Sequence, residues 1–155
     1  MVLLVTGCQS QEPSPYADIQ AQTSQRNAPG AVVKDATQGS DFNKFFPDSA
    51  DGFDRVYTQE KKGFAEAKLK KDGKDVAMLS ISDTSNLPNA AAKYEQATDD
   101  IAGYPSVEVG STQTAILVAD RYQVKVLSRD PSFDQSQRQT WIQKFNLSEL
   151  AQLDE

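Results

Sequence analysis

An α+β fold, one antiparallel sheet of about five to six strands with helices packed on it, is expected from three features of this chain. Residues 63–83 (GFAEAKLKKDGKDVAMLSISD) and 114–128 (TAILVADRYQVKVLS) each read as two strands around a turn. Their apolar and polar residues alternate, and period-2 alternation marks half-buried strands. Between these hairpins, and again near the C-terminus, apolar residues recur at helical spacing. After a short opening helix, the expected order is βββα-βββα. One wetter face per strand fits an antiparallel sheet better than a parallel one.

The first hairpin turns at Asp72-Gly73. A two-residue turn would set Lys71 opposite Lys74 and mix Phe64, Glu66 and Lys68 with Ile81, Leu79 and Ala77. A three-residue loop shifts the pairing by one, so that Ala65, Ala67 and Leu69 share a face with Ala77, Leu79 and Ile81. A one-residue slip exchanges the faces of a strand, so the cleaner apolar face should win. The sequence therefore predicts a bulged loop, Gly73 at positive φ, and Lys71 displaced from Lys74.

The remaining elements follow in order. Asp41 is placed to cap a short helix carrying Phe42, Phe45 and Phe46, which Pro47 ends. Asp51-Gly52 turns into a strand from Phe53 to about Gln59. Past Asp83, Pro88 or Asn89 opens a helix that Gly103 closes, with Ala90, Tyr94, Ala97 and Ile101 as its apolar stripe. A weak strand at Ser106–Val109 and a Gly110-Ser111 turn lead to the second hairpin. Pairing about Asp120-Arg121 would set Ala115, Leu117 and Ala119 opposite Val126, Val124 and Tyr122. In the tail, Ser132 and Gln135 match a capping box. Trp141, Ile142 and Phe145 supply an apolar knob, and Ser148 would cap a last turn bearing Leu147, Leu150 and Leu153.

The N-terminus carries a different signal. Met1 to Gly7 is apolar and small, and Val5-Thr6-Gly7-Cys8 resembles the lipobox of bacterial lipoproteins. The resemblance covers these eight residues alone. It implies that Cys8 becomes the acylated N-terminus and holds the protein to a lipid bilayer, facing the periplasm or the exterior. Gln9 rather than Asp follows the Cys, which implies the outer membrane in a two-membrane host. Two or more acyl chains suffice for stable anchoring. No basic n-region or long apolar core precedes the box, as in a truncated signal or one whose true start lies upstream. Residues 9–40, rich in Gln, Ser, Pro, Ala and Thr, read as a disordered tether with a reach of roughly 30 Å. Residues 41–155 then form a single domain.

Composition excludes much chemistry. Net charge is −6 with no basic stripe, so no nucleic-acid partner is expected. There is no His, which removes Ser-His and Cys-His nucleophiles and His-built zinc sites. The one Cys cannot form an internal disulfide. No GxSxG, phosphate-cradling Gly loop or CxxC occurs. No cofactor, metal or catalytic residue is therefore expected. Asp99-Asp100, near the end of the expected helix, read as solvated surface. Lys68, Lys70, Lys71 and Lys74, with Lys61 and Lys62 nearby, form a candidate docking face for an envelope-protein partner or anionic headgroups. The leading expectation is a non-catalytic docking or accessory lipoprotein. The alternative is a small-molecule binder or weak acid-base enzyme with a pocket between sheet and helices, for which Asp83, Tyr94 and Arg121 would be the polar groups.

Overall fold

The structure is a computed structural model and describes residues 36–153. The lipobox, Cys8 and most of the expected tether lie outside the described residues.

The sheet has seven strands, all antiparallel: β1 (Phe53–Lys61), β2 (Phe64–Lys71), β3 (Lys74–Asp83), β4 (Asp99–Ile101), β5 (Tyr104–Val109), β6 (Gln113–Val118) and β7 (Tyr122–Ser128). Their order is β1-β2-β3-β7-β6-β5-β4. A three-stranded meander and a four-stranded one thus meet along their last strands. A 3-10 helix (Gly39–Phe45) precedes β1, a single turn α1 (Pro88–Ala92) separates the meanders, and α2 (Gln135–Gln143) and α3 (Leu147–Ala151) close the chain. Seven strands therefore replace the expected five to six, and the order βββα-βββα is corrected to βββ, α, ββββ, αα.

The extra strand comes from the stretch read as one long helix. That helix stops at Ala92, and Asp99–Ile101 turns back on β5 through Ala102 (φ 55°) and Gly103 (φ 84°). The two large residues of the expected stripe are drawn to different clusters. Ile101 joins the main core, whereas Tyr94 packs with Ala115 and Leu117 on the reverse face. One helix cannot deliver both, and Ala side chains between them bury too little to hold it together.

The first hairpin corrects one expectation and keeps its consequence. Lys71 does lie opposite Lys74, across a two-residue turn of Asp72 (φ 51°) and Gly73 (φ 78°). Left-handed backbone at both turn residues matches the twist of the flanking strands. Yet Ala65, Ala67 and Leu69 still face Ile81, Leu79 and Ala77. A bulge reconciles the two, because Lys70 faces Asp75 while Leu69 faces Ala77, leaving Val76 as the extra residue. Val76 and Ala77 are consequently both buried. The freed Val76 carbonyl accepts the backbone N–H groups of Arg129 at 2.8 Å and Asp130 at 3.3 Å.

The second hairpin slips by one from its expected register. Val118 faces Tyr122 across a three-residue loop in which Ala119 (φ 52°) and Asp120 (φ 55°) are left-handed. Thr114, Ile116 and Val118 therefore face Val126, Val124 and Tyr122, all in the core, and Ala115 and Leu117 turn to the reverse face. Both registers give an apolar face here; the observed one buries Ile116 and Val118, with more apolar area than the alanines.

One face of the sheet is sealed. Phe42, Phe45 and Phe46 from the opening segment, and Trp141, Ile142, Phe145, Leu147 and Leu150 from the C-terminal helices, pack on it. Phe42 meets Tyr122 edge-on with centroids 5.9 Å apart, and Trp141 meets Phe53 at 5.3 Å. Capping differs in detail from the sequence reading. Asp134 caps α2, its Oδ1 accepting the Gln137 N–H at 2.9 Å, while Ser132 donates its N–H and hydroxyl to Asp130. Ser148 sits inside α3, with its hydroxyl 3.4 Å from Asn146 Oδ1. On the reverse face, Tyr94 and Ala91 cover only a strip over β5 and β6.

Candidate functional site

Asp83 and Arg121 are brought together, and they close on each other. Asp83 is the last residue of β3, and Arg121 immediately precedes β7, its neighbour in the sheet. The guanidinium donates from Nε to Asp83 Oδ1 at 2.9 Å and from Nη2 to Oδ2 at 2.8 Å. Oδ2 also accepts the Thr37 N–H at 2.9 Å, and Oδ1 accepts the Ser85 N–H at 3.0 Å. Burial of the carboxylate acts to raise its pKa, but the Arg121 bonds and then the Thr37 and Ser85 N–H groups outweigh it and hold it well below the usual range. The Asp83 side chain is fully buried and Arg121 is 11% exposed. A carboxylate with both oxygens doubly occupied has no lone pair left for a ligand or a proton transfer. The pair is a clasp joining residues 36–38, the end of β3 and the β6–β7 loop.

Three further bonds tighten this clasp. The Arg121 carbonyl accepts both the Thr84 N–H at 2.9 Å and the Thr84 hydroxyl at 2.6 Å. Gly63 N–H donates to the Thr37 carbonyl at 2.6 Å. Gly39 sits so close to the β1–β2 turn that a Cβ there would lie 2.4 Å from the Lys61 carbonyl oxygen and 2.5 Å from that of Phe64.

Tyr94 does not join them. Its hydroxyl donates to Gln123 Oε1 at 3.0 Å on the reverse face, whereas Asp83 follows Ile81 along the helix-covered face. Burial pushes the Tyr94 pKa up. The expected trio of Asp83, Tyr94 and Arg121 is thus divided between two sides of the sheet.

The lysines are likewise divided. Lys68 and Lys70 lie on the reverse face, where both reach Asp75, at 2.8 and 3.3 Å. The Lys68 bond, ahead of that from Lys70, lowers the Asp75 pKa. Lys71 stands on the helix side with its ammonium 4.8 Å from the centre of the Phe53 ring, and Lys74 faces it across the turn. A single four-lysine face is therefore replaced by two lysines on the sheet and two at its tip.

The residue that sequence reasoning missed is Arg138. It lies one turn before Trp141 and Ile142 on α2, which puts it on the buried side of that helix. It is 2% exposed. Its Nε donates to Thr114 Oγ1 at 2.9 Å, Nη1 to Ser128 Oγ at 2.9 Å and Nη2 to Glu108 Oε2 at 3.0 Å. Thr114 in turn donates to Glu108 Oε1 at 2.5 Å, and Ser128 to the Phe133 carbonyl. One guanidinium thus ties α2 to three strands. It also forms the back of a recess of about 420 Å³ bounded by the β5–β6 turn, the end of β7 and residues 129–135. The i, i+3, i+4 spacing of Arg138, Trp141 and Ile142 was the available signal.

Among the described residues, no cluster of acidic, Cys or His side chains is suited to hold a metal ion, and no helix is long and apolar enough to cross a membrane. Comparison with protein-family models, curated proteins and solved structures finds no match to the chain.

Proposed function

We propose that this protein is a membrane-tethered, non-catalytic accessory module that docks another envelope protein through the uncovered half of its sheet. The observation carrying this reading is the asymmetry of the sheet. One face is sealed by helices, while over β1–β3 the reverse face has no covering element among the described residues. That area exposes Val56 at 45% of its surface, beside the half-buried Met78, Lys68 and Lys70. Apolar side chains ringed by charge are what a protein partner covers.

The face is a better candidate than the β1 edge. Phe53 N–H already donates to the Ala50 carbonyl at 2.9 Å, and Arg55 N–H to Ser49 Oγ at 2.9 Å. A bulge between Tyr57 and Gln59 interrupts the remainder. These are the devices by which sheets avoid edge pairing. A partner offering carboxylates around an apolar patch would meet Lys68 and Lys70, with Lys71 and Lys74 at the rim. Acylation of Cys8 would confine the protein to the bilayer surface, periplasmic or exterior, and raise its effective concentration for a membrane-bound partner.

The test is photocrosslinking in native membranes, with the gene expressed from its own chromosomal locus. A crosslinker at Val56 or Met78 should capture one envelope protein stoichiometrically. The same group at Gln137, on the helix-covered side, should not, and Cys8→Ser should abolish the capture. Equal capture from both faces, or none, would overturn the docking assignment.

A further inference from the structure

We propose that the recess in front of Arg138 binds a neutral, hydroxyl-rich ligand of mono- to disaccharide size. The proposal does not rest on the docking reading: the recess opens at the end of β7 and the start of α2, and of its lining Arg129 also borders Lys68 and Met78 on the reverse face. Its volume of about 420 Å³ falls within the range of small-molecule sites.

Charge selects the ligand class. The lining carries Arg129 and Arg138 against Asp130 and Asp134. Arg138 is already paired with Glu108, so Arg129 is left to oppose a cationic ligand and the two carboxylates to oppose an anionic one. The α2 N-terminus adds no vacancy for an anion, because the Asp134 carboxylate already caps it at Gln137 N–H. What remains favoured is a ligand without net charge that uses donors and acceptors together. A sugar hydroxyl does both, and carboxylate and guanidinium groups offer paired atoms at a spacing suited to neighbouring hydroxyls. Ser111 and Thr112 bring two more hydroxyl side chains to the lining, and the exposed Pro131 supplies an apolar surface for the C–H face of a pyranose ring.

The back wall is held rigid. Arg138 is fixed by Thr114, Ser128 and Glu108, and Ser128 is fixed a second time by the Phe133 carbonyl. A site whose polar groups are already locked loses little ordering entropy on binding.

The test is amide chemical-shift mapping on the full-length chain. Glucose, N-acetylglucosamine, maltose and cellobiose are titrated in turn, with glycine as a zwitterionic control and inorganic phosphate as an anionic one. At least one saccharide should move amides 111–112 and 128–135 and leave the Asp83 end unmoved, saturating with a dissociation constant on the order of 1 mM. Arg129→Ala, at an exposed side chain, should weaken that saccharide about tenfold while the rest of the spectrum superimposes. Thr112→Val should weaken it independently, and Lys68→Ala should not. Silence from all four saccharides, shifts centred elsewhere, indifference to both recess variants, or tighter binding of glycine or phosphate at the same amides would each overturn the proposal.

Discussion

Asp83 joins three separate parts of the chain through one side chain. Its carboxylate accepts from Arg121 twice and from the Thr37 and Ser85 backbones. Removing it takes both of these bonds from the largely buried Arg121 and leaves the Thr37 and Ser85 N–H groups without their acceptor. Breaking one partner of a buried pair typically costs about 3–5 kcal/mol. Asp83→Ala should show that loss in the urea midpoint, whereas Asp75→Ala, which breaks only half-exposed pairs with Lys68 and Lys70, should leave the midpoint almost unmoved. The pH dependence has a definite sign. Because the folded-state pKa of Asp83 is depressed, its contribution is complete above the ordinary aspartate value of about 4 and is lost as pH falls below it. Urea midpoints measured down to pH 2 should therefore fall for the native protein. Asp83→Asn should already be weakened at pH 7, with the gap between the two narrowing toward pH 2. At the turns, Ala102 and Ala119 hold left-handed backbone. That conformation costs an L-residue roughly 1–2 kcal/mol, which exceeds the entropy glycine loses on folding. Ala102→Gly and Ala119→Gly should each raise the melting temperature; a fall at either site would show that the methyl group makes a contact outweighing the strain.

At the scale of elements, α2 shows how a polar helix is retained. Its sequence QSQRQTWIQ is nearly all hydrophilic, and it is held by Trp141 and Ile142 together with the Arg138 network. Arg138→Ala should destabilise by about 2–4 kcal/mol, since it opens a cavity under α2 and takes the donor from the buried Thr114 hydroxyl. Arg138→Met keeps the volume but leaves Glu108 free to relax toward solvent, so it should cost markedly less. Equal losses would show that the charge itself is required. The elements also show what could be read from sequence. The alternation in residues 63–83 made both strands and their faces legible. The bulge within β3 is marked by the adjacent apolar pair Val76-Ala77, which breaks the alternation; a clean apolar face alone places the extra residue in the turn instead. Residues 114–118 are apolar at four of five positions, so no periodicity chooses their register. The long helix failed because its stripe was mostly alanine, a residue that fits any surface and specifies none. Asp83 and Arg121 were recognisable as important polar groups, yet only the adjacency of β3 and β7 reveals that they satisfy each other. The Arg138 recess joins residues 111 to 138 through three strands, and no local pattern brings them together.

For the whole molecule, the junction of two meanders along β3 and β7 sets where variation is tolerated. The central strands carry the core, while both outer strands are short or obstructed. Gly39→Ala should be among the costlier substitutions outside the sheet, because its methyl would meet backbone carbonyls that cannot swing aside. Hydrogen exchange should then report faster opening of residues 37–45 and the β1–β2 turn, with β6 and β7 unchanged. The Thr37 clasp has another result. The polypeptide that leads toward Cys8 enters the sheet at the Asp83 end, whereas the Asp72-Gly73 turn and the recess lie at the Ser128 end, roughly 20 Å away along β7. Tension on the leading segment would be delivered to the strands end-on. Under the anchoring proposed at Cys8, the Asp83 end would be the one held, and the lysine tip and the recess would belong to the end left open.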